Sequence, residues 1–177
     1  ALRRRSGKGR YDAELKDFSF GLKDCIALWV PSQQAIDHQV SLGAQIKMAL
    51  PKLWLALELF HDGHDLDKTA HILTLSSRLQ LPVAAANNVH THIRERQPLQ
   101  DILTAIRHKT TLQELGHRAF NNSERTLRTL AQLADIYPIE LLDETVRIAH
   151  LCQFNMSELR YEYPKDLVPP HLTAARY

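Results

Sequence analysis

A chain of 177 residues is long enough for one domain with a core of its own, or for one and a half small ones. Its 44% hydrophobic and 24% charged content is that of an ordinary globular protein, and the net charge of +2 neither selects nor excludes nucleic acid as a partner. No run approaches the roughly 18 apolar residues of a membrane span, and Cys25 and Cys152 have no paired spacing, so a reduced, cytosolic compartment is the default expectation.

The opening, Ala1 to Arg5, has neither an initiator Met nor an apolar stretch behind its charges, so it reads as the middle of a longer chain rather than as a secretory signal. Arg3, Arg4, Arg5, Lys8 and Arg10, with Gly7 and Gly9 between them, suit a solvated segment, with phosphate contact as the alternative. Cys25 to Val30 is a short apolar run closed by Pro31, which predicts a buried strand. Ser32 is placed to cap a helix running to about Leu50. A second buried strand is predicted at Leu53 to Leu59, bounded by Pro51 and by the Asp62-Gly63 turn signal. A helix follows from about Asp65, with Leu66, Ala70, Leu73 and Leu79 at roughly helical spacing. Pro82 to Ala86 then gives a third apolar run. Strand, helix, strand, helix, strand, with each strand apolar throughout, is the pattern of a parallel α/β sheet covered on both faces.

After Asn87 the pattern turns helical. Leu99, Ile102, Leu103 and Ile106 make one apolar stripe, with Pro98 near the helix start. Thr111 and Glu114 fit a capping box that opens a short turn of helix. Ser123 is placed to cap a third helix with Leu127, Leu130 and Leu133 toward a core. Tyr137-Pro138 ends that helix and starts the next, striped by Leu141, Leu142, Thr145, Ile148 and Cys152. From Tyr161 the chain is rich in proline (Pro164, Pro169, Pro170) and reads as an extended connector, with Leu172 to Tyr177 as a helix cut off soon after it begins.

There is no glycine-rich phosphate loop, no GxSxG elbow and no CxxC pair. The candidate for chemistry is Asn87 to His92, directly after the third apolar run. Asn88, His90 and His92 are two apart at a strand end, where α/β sites are built, and would project together from that rim. Imidazoles suit zinc, manganese or iron, and a carboxylate often completes such a set. On residues alone such a pair is more often plain surface histidine, and both readings stand. His61 and His64 flank the Asp62-Gly63 turn on the same rim. Glu58 lies inside an apolar run, and a buried carboxylate needs a cation, a metal or several donors to stay charged. Strand alternation points either Glu58 or its neighbour Leu57 inward. Cys25, at the start of its strand, reads as plain core.

Leu81 to Ile106, which contains Ala-Ala-Asn-Asn-Val-His-Thr-His-Ile-Arg-Glu-Arg, is very similar to the last strand region of the PHP (polymerase and histidinol phosphatase) domain of the C-family error-prone DNA polymerases. Tyr137 to Ala149 and Cys152 to Pro164, followed by Leu167-Val-Pro169, resemble the same family in the same order. Leu159-Arg-Tyr-Glu-Tyr-Pro164 resembles the error-prone branch rather than the replicative DNA polymerase III alpha subunit. Residues 1–50 match more loosely, through a basic segment ending at Tyr11.

The resemblance implies an α/β fold: the second half of a PHP-type β/α barrel of parallel strands at 1–108, then a helical lead-in to the polymerase core with a Pro-rich tail at 109–177. For the parent it implies a DNA-directed DNA polymerase acting in damage-induced translesion synthesis and DNA repair. Such an enzyme works by in-line nucleotidyl transfer with two divalent metals, magnesium being the expected ion. DNA, deoxynucleotides and other translesion proteins are the implied partners, and no membrane is. The catalytic carboxylates would lie beyond Tyr177 and the family's amino-terminal His-x-His ahead of Ala1, so this piece would be inactive alone. The family's Asp-x-His ligand pair falls on Asn88 and His90. An amide is a poorer ligand than a carboxylate, which implies a weakened or lost PHP metal site. His92 and Cys25, the latter near a cysteine ligand position, are the further candidates. A metal-dependent PHP-type phosphoesterase and a non-catalytic scaffold are the alternatives.

Overall fold

The computed structural model describes residues 7–8, 14–18, 22 and 25–160. The Pro-rich tail, the helix expected at its end and most of the basic opening segment lie outside the described residues. A short helix α1 (Leu15–Phe18) is followed by β1 (Ala27–Trp29), α2 (Ile36–Ala49), β2 (Leu53–Glu58), α3 (Asp65–Leu79), β3 (Val83–Ala86), α4 (Gln97–His108), α5 (Leu130–Ile136) and α6 (Ile139–Leu151). The strands pair in parallel in the order β1-β2-β3, with Ala27 opposite Leu53 and Leu55 opposite Val83. This is the partial α/β arrangement that the apolar runs predict, each strand being shorter than its run; β1, expected to be buried, is half-exposed, with Leu28, Val30 and Cys25 open to solvent.

Alternation along β2 makes the core. Leu53, Leu55, Leu57 and Leu59 share one face with Ala27, Trp29, Val83 and Ala85, and pack on Ile72, Leu75 and Leu79 of α3 and on Ile36, Val40 and Ile46 of α2. Each fully buried leucine here contributes about 1.5–3 kcal/mol relative to exposure. The opposite face is less evenly covered: Ala56 and Ala84 are buried, Trp54 is half-buried and Leu28 is exposed. Helix α6 reaches both faces. Its Leu141 and Leu142 join the core, while Glu144 accepts a bond of 2.7 Å from Trp54 Nε1 on the other side.

Several helical expectations are corrected. Leu66 and Leu73 of α3 face solvent, and Ile72, Leu75 and Leu79 are the buried stripe. At 3.6 residues per turn the two stripes lie about 100° apart on the helix, and only contact with β2 selects between them. Ser32 does not cap α2, which begins after Ala35 without a side-chain cap; its hydroxyl instead accepts from Gln39 Nε2 at 2.9 Å. The helix expected from Ser123 begins only at Leu130, capped by Thr129 in a reciprocal box with Gln132. Of its expected core stripe, Leu127 and Leu130 are exposed and only Leu133 packs inward. The box of Thr111 and Glu114 does form, yet it closes a turn followed by a single 3-10 turn, Gly116–Arg118. Pro98 sits in the first turn of α4 as expected, but Leu99, Ile102, Leu103 and Ile106 are exposed and Ala105 is its buried residue. Cys152 is an exposed cap of α6 rather than part of its buried stripe.

Residues 120–137 run back across the carboxyl ends of β2 and β3. The ladder between these strands ends at Glu58 and Ala86, and the buried phenol of Tyr137 takes the next place. Its oxygen accepts from Leu59 N at 3.0 Å and donates to the Ala86 carbonyl at 2.7 Å. Burial raises its pKa, against the Leu59 N–H and Arg128, which lower it.

Two substitutions test this packing. Tyr137→Phe leaves the buried Leu59 N–H and the part-buried Ala86 carbonyl without this partner and should cost about 1–3 kcal/mol in denaturant unfolding near neutral pH. A raised phenol pKa means stability that is full below the ordinary tyrosine value of about 10 and is lost as pH rises past it. The gap between wild type and Tyr137→Phe should therefore narrow in alkali. Gly43 faces Leu79 and Trp29, and an added Cβ would meet Leu79 Cδ1 and lie 2.5 Å from Trp29 Cζ3. Gly43→Ala should lower the unfolding midpoint by an amount equivalent to about 1–3 kcal/mol, despite alanine's better helix propensity.

Candidate functional site

The carboxyl ends of β1 and β2 open on a cavity of about 190 Å³ whose lining includes Glu58, Phe60, Lys68, His71 and Arg125. Alternation sends Leu57 into the core, 1% exposed, and turns Glu58 toward this cavity. The turn after β2 is held by Asp65, whose carboxylate accepts from Phe60 N and His61 N at 3.1 and 2.8 Å. Asp62 accepts from His64 N at 3.1 Å and from Lys68 Nζ at 2.7 Å. The Lys68 bond, first, and that N–H hold the Asp62 carboxyl below its ordinary pKa against the opposing effect of burial. His61 and His64, expected on this rim, are there but exposed in the turn.

Arg125 arrives from the returning segment. Its guanidinium carbon lies 3.8 Å from the ring centre of Phe60 and 4.5 Å from that of Phe120. Phe120 in turn meets His90 edge-on, with ring centres 4.7 Å apart, and Lys68 Nζ sits 5.3 Å from the Phe60 ring. His90, Phe120, Arg125, Phe60 and Lys68 thus form one row of alternating rings and cationic or basic groups. A second cavity of about 200 Å³, lined in part by Asp62, His117 and Asn122, shares Phe60 and Arg125 with the first. Burial lowers the pKa of Arg125, and the charges of Glu58 and Asp62 oppose that shift.

The returning segment is anchored by hydrogen bonds to the rim. Asn122 Nδ2 donates to the Phe60 carbonyl at 2.7 Å, Arg128 Nη2 to the Leu59 carbonyl at 3.0 Å, and Asn87 Nδ2 to the Thr126 carbonyl at 2.6 Å. His90 N and Thr91 N both donate to the Arg125 carbonyl, and Thr91 pairs in parallel with Thr126. Glu124, bonded to Arg94 and Arg128, closes the outer side; burial raises its pKa, and the two arginines outweigh that to leave it lowered.

The residues proposed from sequence as metal ligands are spread around this frame. Asn88 is exposed, with a backbone φ of +37°, so the chain leaves the strand there and alternation no longer aligns it with His90 and His92. His90 and His92 line one cleft with Thr91, Arg96, Leu99 and Leu103, and the His90 ring is engaged with Phe120. Cys25 is exposed and precedes β1, at the opposite edge of the parallel sheet from the end of β3 that leads to Asn88. Among the described residues no three His, Cys, Asp or Glu side chains converge as a metal-holding group. The donor set, with a neutral amide and a ring already in contact, does not fit a divalent ion held by this chain alone. Sequence reasoning missed Arg125, His71 and Lys68. The signal for the first was the charge-dense run from Asn122 to Arg128, which is too basic and acidic to be the buried helical stripe predicted there.

Fold and rim together define a parallel α/β segment whose strand ends are closed by a returning loop. Along nearly its whole length that segment is related to the bacterial error-prone DNA polymerases. It is 43% identical over 176 residues to the error-prone DNA polymerase of Pseudomonas fluorescens, covering 99% of this chain and 17% of that protein. With that of Methylococcus capsulatus it is 48% identical over 154 residues, covering 86% of this chain and 14% of the relative. With that of Vibrio campbellii the identity is 39% over 175 residues, covering 99% and 17%. The chain therefore spans less than a fifth of the length of these curated relatives. No family model matches it. No helix among the described residues is long and apolar enough to cross a membrane.

If the amide at Asn88 is what weakens a metal site, its reversal should be measurable. Calorimetric titration with zinc and with manganese is expected to show no micromolar binding to the chain, and a gain of affinity in Asn88→Asp that His90→Ala removes. Micromolar binding by the unaltered chain that His90→Ala abolishes would show that the present donor set suffices.

Proposed function

We propose that this chain is a non-catalytic segment of an error-prone DNA polymerase that acts in damage-induced translesion synthesis and DNA repair in the cytoplasm. The observation that carries the reading is the 39–48% identity to error-prone DNA polymerases along nearly the whole chain. Residues 1–108 are then the second half of a PHP-type barrel and 109–177 the lead-in to the polymerase core, with its Pro-rich tail. Nucleotidyl transfer, with magnesium, DNA and deoxynucleotides, belongs to parts of the parent outside this chain, and other translesion proteins are its partners. Asn88 and His90 are the remnant of a PHP ligand pair, with His92 and Cys25 as lesser candidates.

In this reading the segment acts as a scaffold. The bonds from 122–137 back to the rim support that role, because they fix the start of the helical lead-in onto the end of the sheet. The test is primer extension by the complete polypeptide that contains this chain, on undamaged and abasic templates. Extension past the lesion, reduced by Tyr137→Phe through lost stability rather than lost catalysis, is the expected result. A product that hydrolyses p-nitrophenyl phosphate with added metal but does not extend a primer would replace this reading with that of a phosphoesterase.

A further inference from the structure

The strip that closes the rim is the least satisfied part of the described chain. Among the described residues eight buried side-chain polar atoms have no hydrogen-bond partner, and six of them lie where residues 125–128 meet the stretch after β3. They are Arg125 Nη1, Thr126 Oγ1 and Arg128 Nε and Nη1 on the strip, and Asn87 Oδ1 and Thr91 Oγ1 opposite it. The rings of Phe60 and Phe120 offset part of the cost at Arg125. A buried polar group left unmade costs free energy, and it regains a partner when the chain opens to water. These atoms are buried within the chain itself, so docking on the closed surface does not satisfy them, whereas lifting the strip does.

The strip has fixed points at both ends. Leu115 is buried, and Gly116 after it lies in the left-handed region at φ +53° with open space around it. At the other end Thr129 is held in the reciprocal capping box of α5, and Tyr137 is pinned between β2 and β3. Between them the chain forms one 3-10 turn and is otherwise irregular. Little apolar burial holds it, since its one leucine, Leu127, is exposed. By contrast β2 is paired on both edges and lies in the core. Segments with few apolar contacts open at lower free energy than core strands. We propose that residues 116–128 are a strap that opens from the rim as one unit while the sheet and Tyr137 stay in place. Opening carries Phe120 and Arg125 away together, which uncovers the buried Phe60 and frees the His90 ring. This rests on the packing of the chain and not on the polymerase reading.

Hydrogen–deuterium exchange, read by mass spectrometry on the complete polypeptide that contains this chain, tests the strap. Peptides covering 116–128 and 88–92, whose amides bond across the bridge of Thr91 and Thr126, should exchange at least about a hundredfold faster than those of β2 and β3. Their exchange should depend little on low denaturant, as local opening does. Thr126→Val removes an unpartnered hydroxyl while nearly keeping the side chain's shape, and should slow exchange of 116–128 about fivefold. Asn122→Ala removes the bond to the Phe60 carbonyl and should speed it about tenfold. Unchanged exchange of the β2 and β3 peptides confirms that both variants fold. The proposal is overturned if 116–128 and β2 exchange together with the same denaturant dependence, since the strap would then open only by global unfolding. Faster exchange in Thr126→Val also overturns it, because ordered water would then complete the hydroxyl in the closed state. So does an Asn122→Ala variant that alters strap and sheet alike.

Discussion

The hydroxyl of Tyr137 replaces a step of β-ladder. At the end of β2 and β3 the ladder gives out at Glu58 and Ala86, and a phenol from a residue far along the chain accepts the Leu59 N–H and donates to the Ala86 carbonyl. Without it a buried amide and a part-buried carbonyl would lose a partner, and leaving the amide unmade alone costs a sizeable share of a small domain's net stability. The position also fixes the direction of the chain. With Tyr137 pinned between the strands, α5 must end there and α6 must start beside β3, which places Leu141 and Leu142 on the core and Glu144 under Trp54.

The rest of the rim follows from that anchor. The stretch ahead of α5 has to cross the strand ends, and a helix there would tie up the Arg125 and Thr126 carbonyls that bond to the rim. Arg128, 1% exposed at its side chain, shows the compromise: Nη2 serves the Leu59 and Glu124 carbonyls and the Glu124 carboxylate, while Nε and Nη1 find no partner. A buried arginine is tolerated here because Glu124 is close and itself bonded to a second arginine, Arg94. Removing one partner of such a set leaves the other charge uncompensated, so the three are coupled rather than additive.

Much of the sheet was legible in the sequence because a strand buried on both sides writes itself as an unbroken apolar run. Leu53 to Leu59 and Pro82 to Ala86 read that way, and their parallel pairing followed from the helix between them. The helical half was less legible for a physical reason. Leu66 and Leu73, and Leu127 and Leu130, have the spacing of a core stripe, but spacing alone does not say whether a stripe meets a partner, and all four are exposed. Glu58 was the informative residue. A carboxylate in an apolar run signals a cation nearby, and the cavity it lines contains Arg125 and Lys68. Which cation it would be could not be read, since Arg125 is 67 positions away and its place depends on Tyr137.

The same frame bears on the histidine pair after β3. A metal ligand must present a lone pair to an ion, held by neighbours that fix the ring without blocking it. The backbone on either side of His90 does fix it, since His90 N and Thr91 N both bond to the Arg125 carbonyl. Its ring, however, is placed against Phe120, and Phe120 also covers one face of Arg125. Swinging His90 toward an ion would give up its edge contact with Phe120, at one end of a row that extends to Lys68. At Asn88 the positive φ turns the preceding side chain out of register with His90, an arrangement that asparagine tolerates better than most residues. Of the candidate ligands, His90 is thus engaged with Phe120 and Asn88 is turned out of line with it.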